Sequence, residues 1–95
     1  MKKFENLKFK PFNDGVNALH KFDNDFEISV SASKFAYCTP REDGLDSSQY
    51  SSFEVAIINP TGEFITEEIL ENGDMVIGWQ GREQISNIME KVNKL

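Results

Sequence analysis

Residues 26–33 alternate without a break. Phe26, Ile28, Val30 and Ala32 are apolar; Glu27, Ser29, Ser31 and Ser33 are polar. A period of two predicts a strand with one buried face. Residues 16–22 carry Val16, Ala18, His20 and Phe22 at the same spacing, and Asp23-Asn24-Asp25 separates the two runs. The pair predicts a hairpin whose loop length fixes its register. A three-residue loop sets Phe22 opposite Phe26, His20 opposite Ile28, Ala18 opposite Val30 and Val16 opposite Ala32, all on the core face. It also sets Lys21 against Glu27 as a charge pair. A two-residue loop would place Lys21 against Ile28 and spoil the match. The longer loop needs a type I turn with Asp25 left-handed, a conformation Asp tolerates better than most residues.

Residues 53–58 are apolar on both faces, interrupted by Glu54 alone, as in a central strand. Pro60-Thr61-Gly62 then predicts a turn, with Gly62 able to take φ > 0. The return over residues 63–66 would pair Ile57 with Ile65 and Ile58 with Phe64. At the C-terminal end, Ile85, Ile88, Met89, Val92 and Leu95 recur at spacings of three and four. They predict an amphipathic helix over residues 82–92, with Lys91 and Lys94 placed to suit its dipole. Leu7 and Phe9 alternate with Lys8 and Lys10, which predicts an edge strand over residues 7–11 that lysine and Pro11 guard against further pairing. Residues 34–52, with Pro40, Gly44 and a Ser-rich end, read as a long mobile loop. Residues 67–73 read as one helical turn or a loop, and residues 75–78 as a short strand.

These elements predict an α+β fold in a single domain, residues 1–95. An antiparallel sheet of about four strands in meander order would carry the C-terminal helix on one face. Ile85, Ile88, Met89 and Val92 would then meet Phe26, Ile28, Val30, Val55 and Ile57.

Composition narrows the setting. Cys38 is the one cysteine, so no internal disulfide can form and a reducing compartment is expected. No run approaches the roughly 20 apolar residues that span a bilayer. Lys2 and Lys3 near the start have no apolar stretch behind them, unlike a signal peptide. A cytoplasmic protein without membrane contact is the expectation. The net charge of -6 is unevenly spread. Residues 1–21 hold five lysines against Glu5 and Asp14, a balance of +3. Residues 22–74 hold twelve acidic residues against Lys34 and Arg41, a balance of -10. So acidic a middle argues against direct nucleic-acid binding, which draws its affinity from Lys and Arg. It suits a basic protein partner.

Candidate chemistry is sparse. Asp23-Asn24-Asp25-Phe26-Glu27 alternates as a calcium loop begins, but the sixth position is not Gly and the twelfth is Lys34. A turn explains the same residues. His20, the single histidine, has no Cys or second His at metal-ligand spacing, and its register puts it on the core face. Cys38 has no evident base or orienter, as a nucleophile requires. No catalytic residue, metal site or cofactor is assigned. The remaining candidates are binding residues. Trp79 lies in Gly78-Trp79-Gln80-Gly81, between the last strand and the helix, where it would cover the core edge or serve as an interaction hot spot. Tyr37 and Tyr50 flank the long loop with Phe35, where they would pin it to the sheet or form a patch with Trp79. Glu67, Glu68, Glu71 and Asp74 form the densest carboxylate cluster.

Phe22-Asp23-Asn24, Ile28-Ser29-Val30, Phe53-Glu54-Val55-Ala56-Ile57 and Val76-Ile77-Gly78-Trp79, ahead of a C-terminal helix, resemble a group of small uncharacterised proteins of tailed bacteriophages. Those read FDNG, an S-V strand, a loop, an E-x-A-V/I strand and V-I-G-aromatic, and the likeness runs over most of residues 7–95. Gly stands in that pattern where this chain has Asp25, and the 34–52 loop is longer here. The resemblance implies phage origin and no known activity. Two functions are expected to compete. The first is a non-enzymatic interaction protein that binds a basic host protein, with an acidic inhibitor imitating nucleic acid as a narrower version. The second is a small enzyme or ligand-binding domain with a pocket under the 34–52 loop, using His20, Cys38 or Trp79.

Overall fold

A computed structural model describes residues 2–95. Five antiparallel strands follow one another across one sheet in chain order: β1 (Lys10–Phe12), β2 (Gly15–Lys21), β3 (Glu27–Ala32), β4 (Phe53–Ile58) and β5 (Ile77–Gln80). A short helix, α1 (Thr66–Leu70), lies between β4 and β5, and α2 (Arg82–Asn93) closes the chain. The α+β meander is as expected, with five strands in place of about four.

The β2–β3 hairpin has the register its pattern dictates. Val16 faces Ala32, Ala18 faces Val30, His20 faces Ile28 and Lys21 faces Glu27. Asp25 is left-handed at φ 69°, and the Phe22 amide donates to the Phe26 carbonyl at 2.8 Å. Lys21 does not pair with Glu27; its ion pair is with Asp25, at 4.0 Å. Asn24 has two tasks. Its Oδ1 accepts from the Phe26 amide at 3.1 Å, closing an Asx turn. Its Nδ2 donates to the carbonyls of Leu95 at 3.2 Å and of Val92 at 2.9 Å, the latter also accepting the Leu95 amide at 3.1 Å, and so ties the turn to the end of α2. The Asp23-Asn24-Asp25 run thus belongs to a turn that caps a helix.

β4 lies between β3 and β5, and Phe53, Val55 and Ile57 are fully buried on the face that α2 covers. Ile85, Met89 and Val92 are buried completely and Ile88 nearly so, in one core with Ile28, Val30, Val55 and Ile57. After β4, Gly62 takes φ 89° and its amide closes the turn onto Asn59 at 2.9 Å. The expected return strand is shorter than its pattern. Ile65 bonds Ile57 and Phe64 bridges Ile58, but the chain then coils into α1. Thr66 explains the switch: its buried Oγ1 accepts the Ile57 amide at 2.8 Å, satisfying β4 with a side chain instead of a strand.

The edge strand is displaced toward the C-terminus of its expected span. Lys10–Phe12 pairs with β2, while Leu7 and Phe9 turn inward against the core ahead of it. The Phe9 ring stands 5.4 Å from Phe53, and Phe4, in a 3-10 turn over Phe4–Asn6, stands 5.2 Å from Phe53. Aromatic packing fixes this segment, so the ladder begins only after Phe9. The guanidinium of Arg82 lies over Phe4 and Phe53 and donates to the Ser47 carbonyl at 3.1 Å, joining α2 to both the N-terminal turn and the long loop.

Candidate functional site

Trp79 is aimed by a defect in the sheet. Phe53 faces Gln80 and Val55 faces Ile77, so β5 spends one residue more than β4 over the same interval. The irregularity falls at Gly78-Trp79, and Trp79 takes a left-handed φ of 53°. A bulge of this kind redirects a side chain that would otherwise follow the strand's alternation. The indole is 56% exposed.

The long loop comes to meet it. The Trp79 amide donates to the Tyr37 carbonyl at 2.8 Å, and the Tyr37 amide donates to Glu54 Oε1 at 3.2 Å. The two rings lie 5.3 Å apart between centroids, inclined at 34°. Arg41 sits over the other partner, its guanidinium carbon 5.6 Å from the Tyr37 ring centre. Gly78 permits this approach: a Cβ there would stand 2.5 Å from the Tyr37 Cβ. Tyr37 is 43% exposed, and Phe35 and Met75 are also exposed. The pair is thus an aromatic surface whose two backbone amides are both bonded, one to the Tyr37 carbonyl and one to the Glu54 carboxylate.

The carboxylates lie immediately upstream of this strand. Glu67 and Glu68 open α1, Glu71 ends it in a left-handed conformation, and Asp74 accepts from the Met75 amide at 2.6 Å. All four are exposed, while Ile69 and Leu70 of the same segment pack on the core. Met75 then leads into β5 and Trp79.

Tyr50 does not join this surface. It is 1% exposed, packs against Phe53 and donates its hydroxyl to the Glu42 carbonyl. Its ring is the anchor of the loop, so it is withdrawn from the candidate binding residues. The loop itself is pinned to the core at several points. Ala36, Cys38, Tyr50 and Ser52 are buried, and Thr39 bridges Ser52. Asp46 caps a 3-10 turn over Ser47–Gln49 by accepting from Ser48, which holds its carboxyl below the usual carboxylate range.

His20, Cys38 and Trp79 have three different settings. Cys38 is buried and donates its thiol to the carbonyls of Ser33 at 3.2 Å and Pro40 at 3.3 Å. Burial pushes that thiol up from its ordinary pKa, away from the thiolate form a nucleophile needs. His20 is half-buried, edge-on to Phe22 at 4.7 Å. Burial is the main cause that lowers its pKa; Lys2 adds to the effect and Asp23 opposes it. A groove of about 470 Å³ runs between residues 44–49 of the loop and the β1–β2 turn, and none of the three lines it. Among the described residues no group of three His, Cys, Asp or Glu converges as metal ligands would. No helix among them is long and apolar enough to cross a membrane.

The sequence nominated Tyr37 and Trp79 but missed what positions them. Gly78 was the available signal: a glycine inside a strand pattern, next to an aromatic, marks a bulge or a close approach. Glu54, the one polar residue of β4, was a second.

No family model, curated protein or solved structure matches this chain.

Proposed function

We propose that this chain is a non-enzymatic interaction protein that docks a basic partner protein through Tyr37 and Trp79. The exposed, backbone-tied aromatic pair carries the reading. Trp and Tyr dominate binding hot spots because they bury much area with few rotatable bonds. A surface already held in place loses little entropy on docking. The flanking charge selects the partner. Glu67, Glu68, Glu71 and Asp74 precede the strand that bears Trp79, in the segment with a balance of -10. Such a field attracts a basic surface and repels nucleic acid. The resemblance to small bacteriophage proteins supports a host protein as the partner and the host cytoplasm as the setting. A basic protein that handles nucleic acid is the natural target of an acidic inhibitor.

The test is photo-crosslinking in host lysate with a benzophenone amino acid at position 79, and at the exposed Phe64 as a control. The reading expects one dominant adduct from position 79, with a protein of high pI. Its yield should fall as salt rises, and again when Glu67, Glu68 and Glu71 are replaced together by Gln. An adduct indifferent to both salt and the triple substitution would refute the charge argument. Tight binding of the purified chain to duplex DNA at physiological salt would refute the reading as a whole.

A further inference from the structure

The strands β1 and β2 differ in length, and the mismatch leaves a groove. β1 pairs with Gly15, Val16 and Asn17, and the β2 edge beyond Asn17 has no strand beside it among the described residues. In that space lies a groove of about 510 Å³.

Its chemistry is the reverse of the rest of the molecule. Lys2, Lys8 and Lys10 line it, with the amides of Asn6 and Asn17 and the imidazole of His20. No carboxylate does. The two acidic residues of the same segment line other grooves: Glu5 one with Arg82 and Ser86, and Asp14 the one beside residues 44–49, which Lys10 and Pro11 also border from its other side. Among the described residues the ion pairs are Lys21–Asp25 and Lys94–Glu90, so none of the three groove lysines is neutralised in this way. In a chain with 16 acidic and 10 basic side chains, this arrangement leaves the groove locally positive.

The placement is built into the fold. Leu7 and Phe9 turn into the core, while Lys8 and Lys10 on either side of Phe9 are exposed and line the groove. Asn17 is held by bonds from its Nδ2 to Ser29 Oγ at 3.0 Å and Ser31 Oγ at 2.8 Å. The groove also has an apolar part. Phe12 and Leu19 are each 59% exposed within it, beside Pro11.

We infer that this groove is a second site, separate from the aromatic pair, for a small ligand that joins a phosphate to a flat apolar body, as a nucleoside monophosphate does. The lysines would take the phosphate as charge-assisted donors, and Phe12 and Leu19 would cover the base. The size class follows from range. A compact anion lies within about 8 Å of the lysines, close to the screening length at physiological salt. A long polyanion would run on to the acidic remainder of the surface.

The test is titration of the whole chain, followed by amide and imidazole NMR, with inorganic phosphate, adenosine and adenosine monophosphate in turn. The monophosphate should bind more tightly than either part alone. Shifts should centre on Lys8, Lys10, Asn17 and Leu19. The His20 ring, whose surroundings are Lys2, Asp23 and Phe22, should titrate at higher pH when the anion is bound. Lys8→Gln and Lys10→Gln should each weaken binding about 10-fold, and both lysines are exposed, so the melting temperature should not move. Phosphate binding that equals the monophosphate would overturn the apolar half of the inference. Absence of shifts at millimolar ligand, or binding unchanged in the Lys8→Gln/Lys10→Gln variant, would overturn all of it. Preference for a single-stranded oligonucleotide over the mononucleotide would replace the small ligand with a macromolecular one.

Discussion

The β2–β3 hairpin and the residues 33–52 that follow it are ordered by different means. In the hairpin every second residue outside the turn, from Val16 through Ala32, faces the core, buried except for the half-buried His20 and Phe26, and one turn residue, Asp25, sets the register. In the loop no period exists. Its order comes from single bonds between unlike groups: the Lys34 amide to Asp43 Oδ1 at 2.7 Å, the Gly44 amide to the Asp14 carbonyl at 2.8 Å, and the Tyr50 hydroxyl to the Glu42 carbonyl. A repeated burial rule is visible in a sequence, whereas a set of unlike polar bonds is not. The candidate binding surface depends on the second kind of order, because the loop carbonyl of Tyr37 holds Trp79.

If the loop is as much part of the core as the hairpin, truncating either should cost alike. Ile28→Ala is expected to lower unfolding free energy by roughly 2–5 kcal/mol and Tyr50→Ala by about 3–5 kcal/mol, as for other large buried side chains. Denaturant unfolding measures both. A Tyr50→Ala loss near zero would return residues 34–52 to the status of a draped loop.

A narrower cut falls on the contact between loop and sheet. Gly78→Ala forces a methyl group against the Tyr37 Cβ, 2.5 Å away, and should cost about 1–3 kcal/mol. It should also change the near-ultraviolet circular dichroism of the Tyr37–Trp79 pair. An unchanged spectrum would mean that the close approach does not hold the pair.

On the hairpin side, Asn24→Ala removes the Asx turn and the cap on α2 together. The expected loss is roughly 1–2 kcal/mol, the low end of the net worth of its three partly exposed hydrogen bonds. Amide exchange should quicken at the C-terminal end of α2, and equal protection there would remove Asn24 from that role. The smallest effect has the opposite sign. Asp25→Gly relieves a left-handed side chain and should raise stability by up to about 1 kcal/mol, less the entropy that Gly adds to the unfolded chain. The exposed Lys21–Asp25 pair it removes is worth little. A lowered denaturant midpoint would show that the Asp25 carboxylate contributes more than its strain.

These differences explain what the sequence made legible. The meander, the hairpin register, the left-handed Asp25 and the α2 face all rest on periodic burial or turn chemistry, and each is seen as expected. The displaced edge strand was hidden because Leu7 and Phe9 alternate like strand residues but pack on the aromatic core. The burial of Tyr50 was hidden because its partner is a backbone carbonyl eight residues away. Trp79 could be named but not oriented, since a bulge depends on a neighbour, here Tyr37, that lies far off in the chain. The lysine groove escaped notice for a similar reason. Net charge by segment showed a basic start but not that Glu5 and Asp14 line other grooves.

The central claim is that the loop-held aromatic pair binds a basic protein. The most direct measurement is the equilibrium affinity of the partner captured at position 79 for the wild type and for Trp79→Ala, at low and at physiological salt. Trp79→Ala should lose about 2 kcal/mol or more, roughly 30-fold, at both salt concentrations. The wild type should itself bind more weakly as salt rises. Equal affinities for the two proteins would contradict the account.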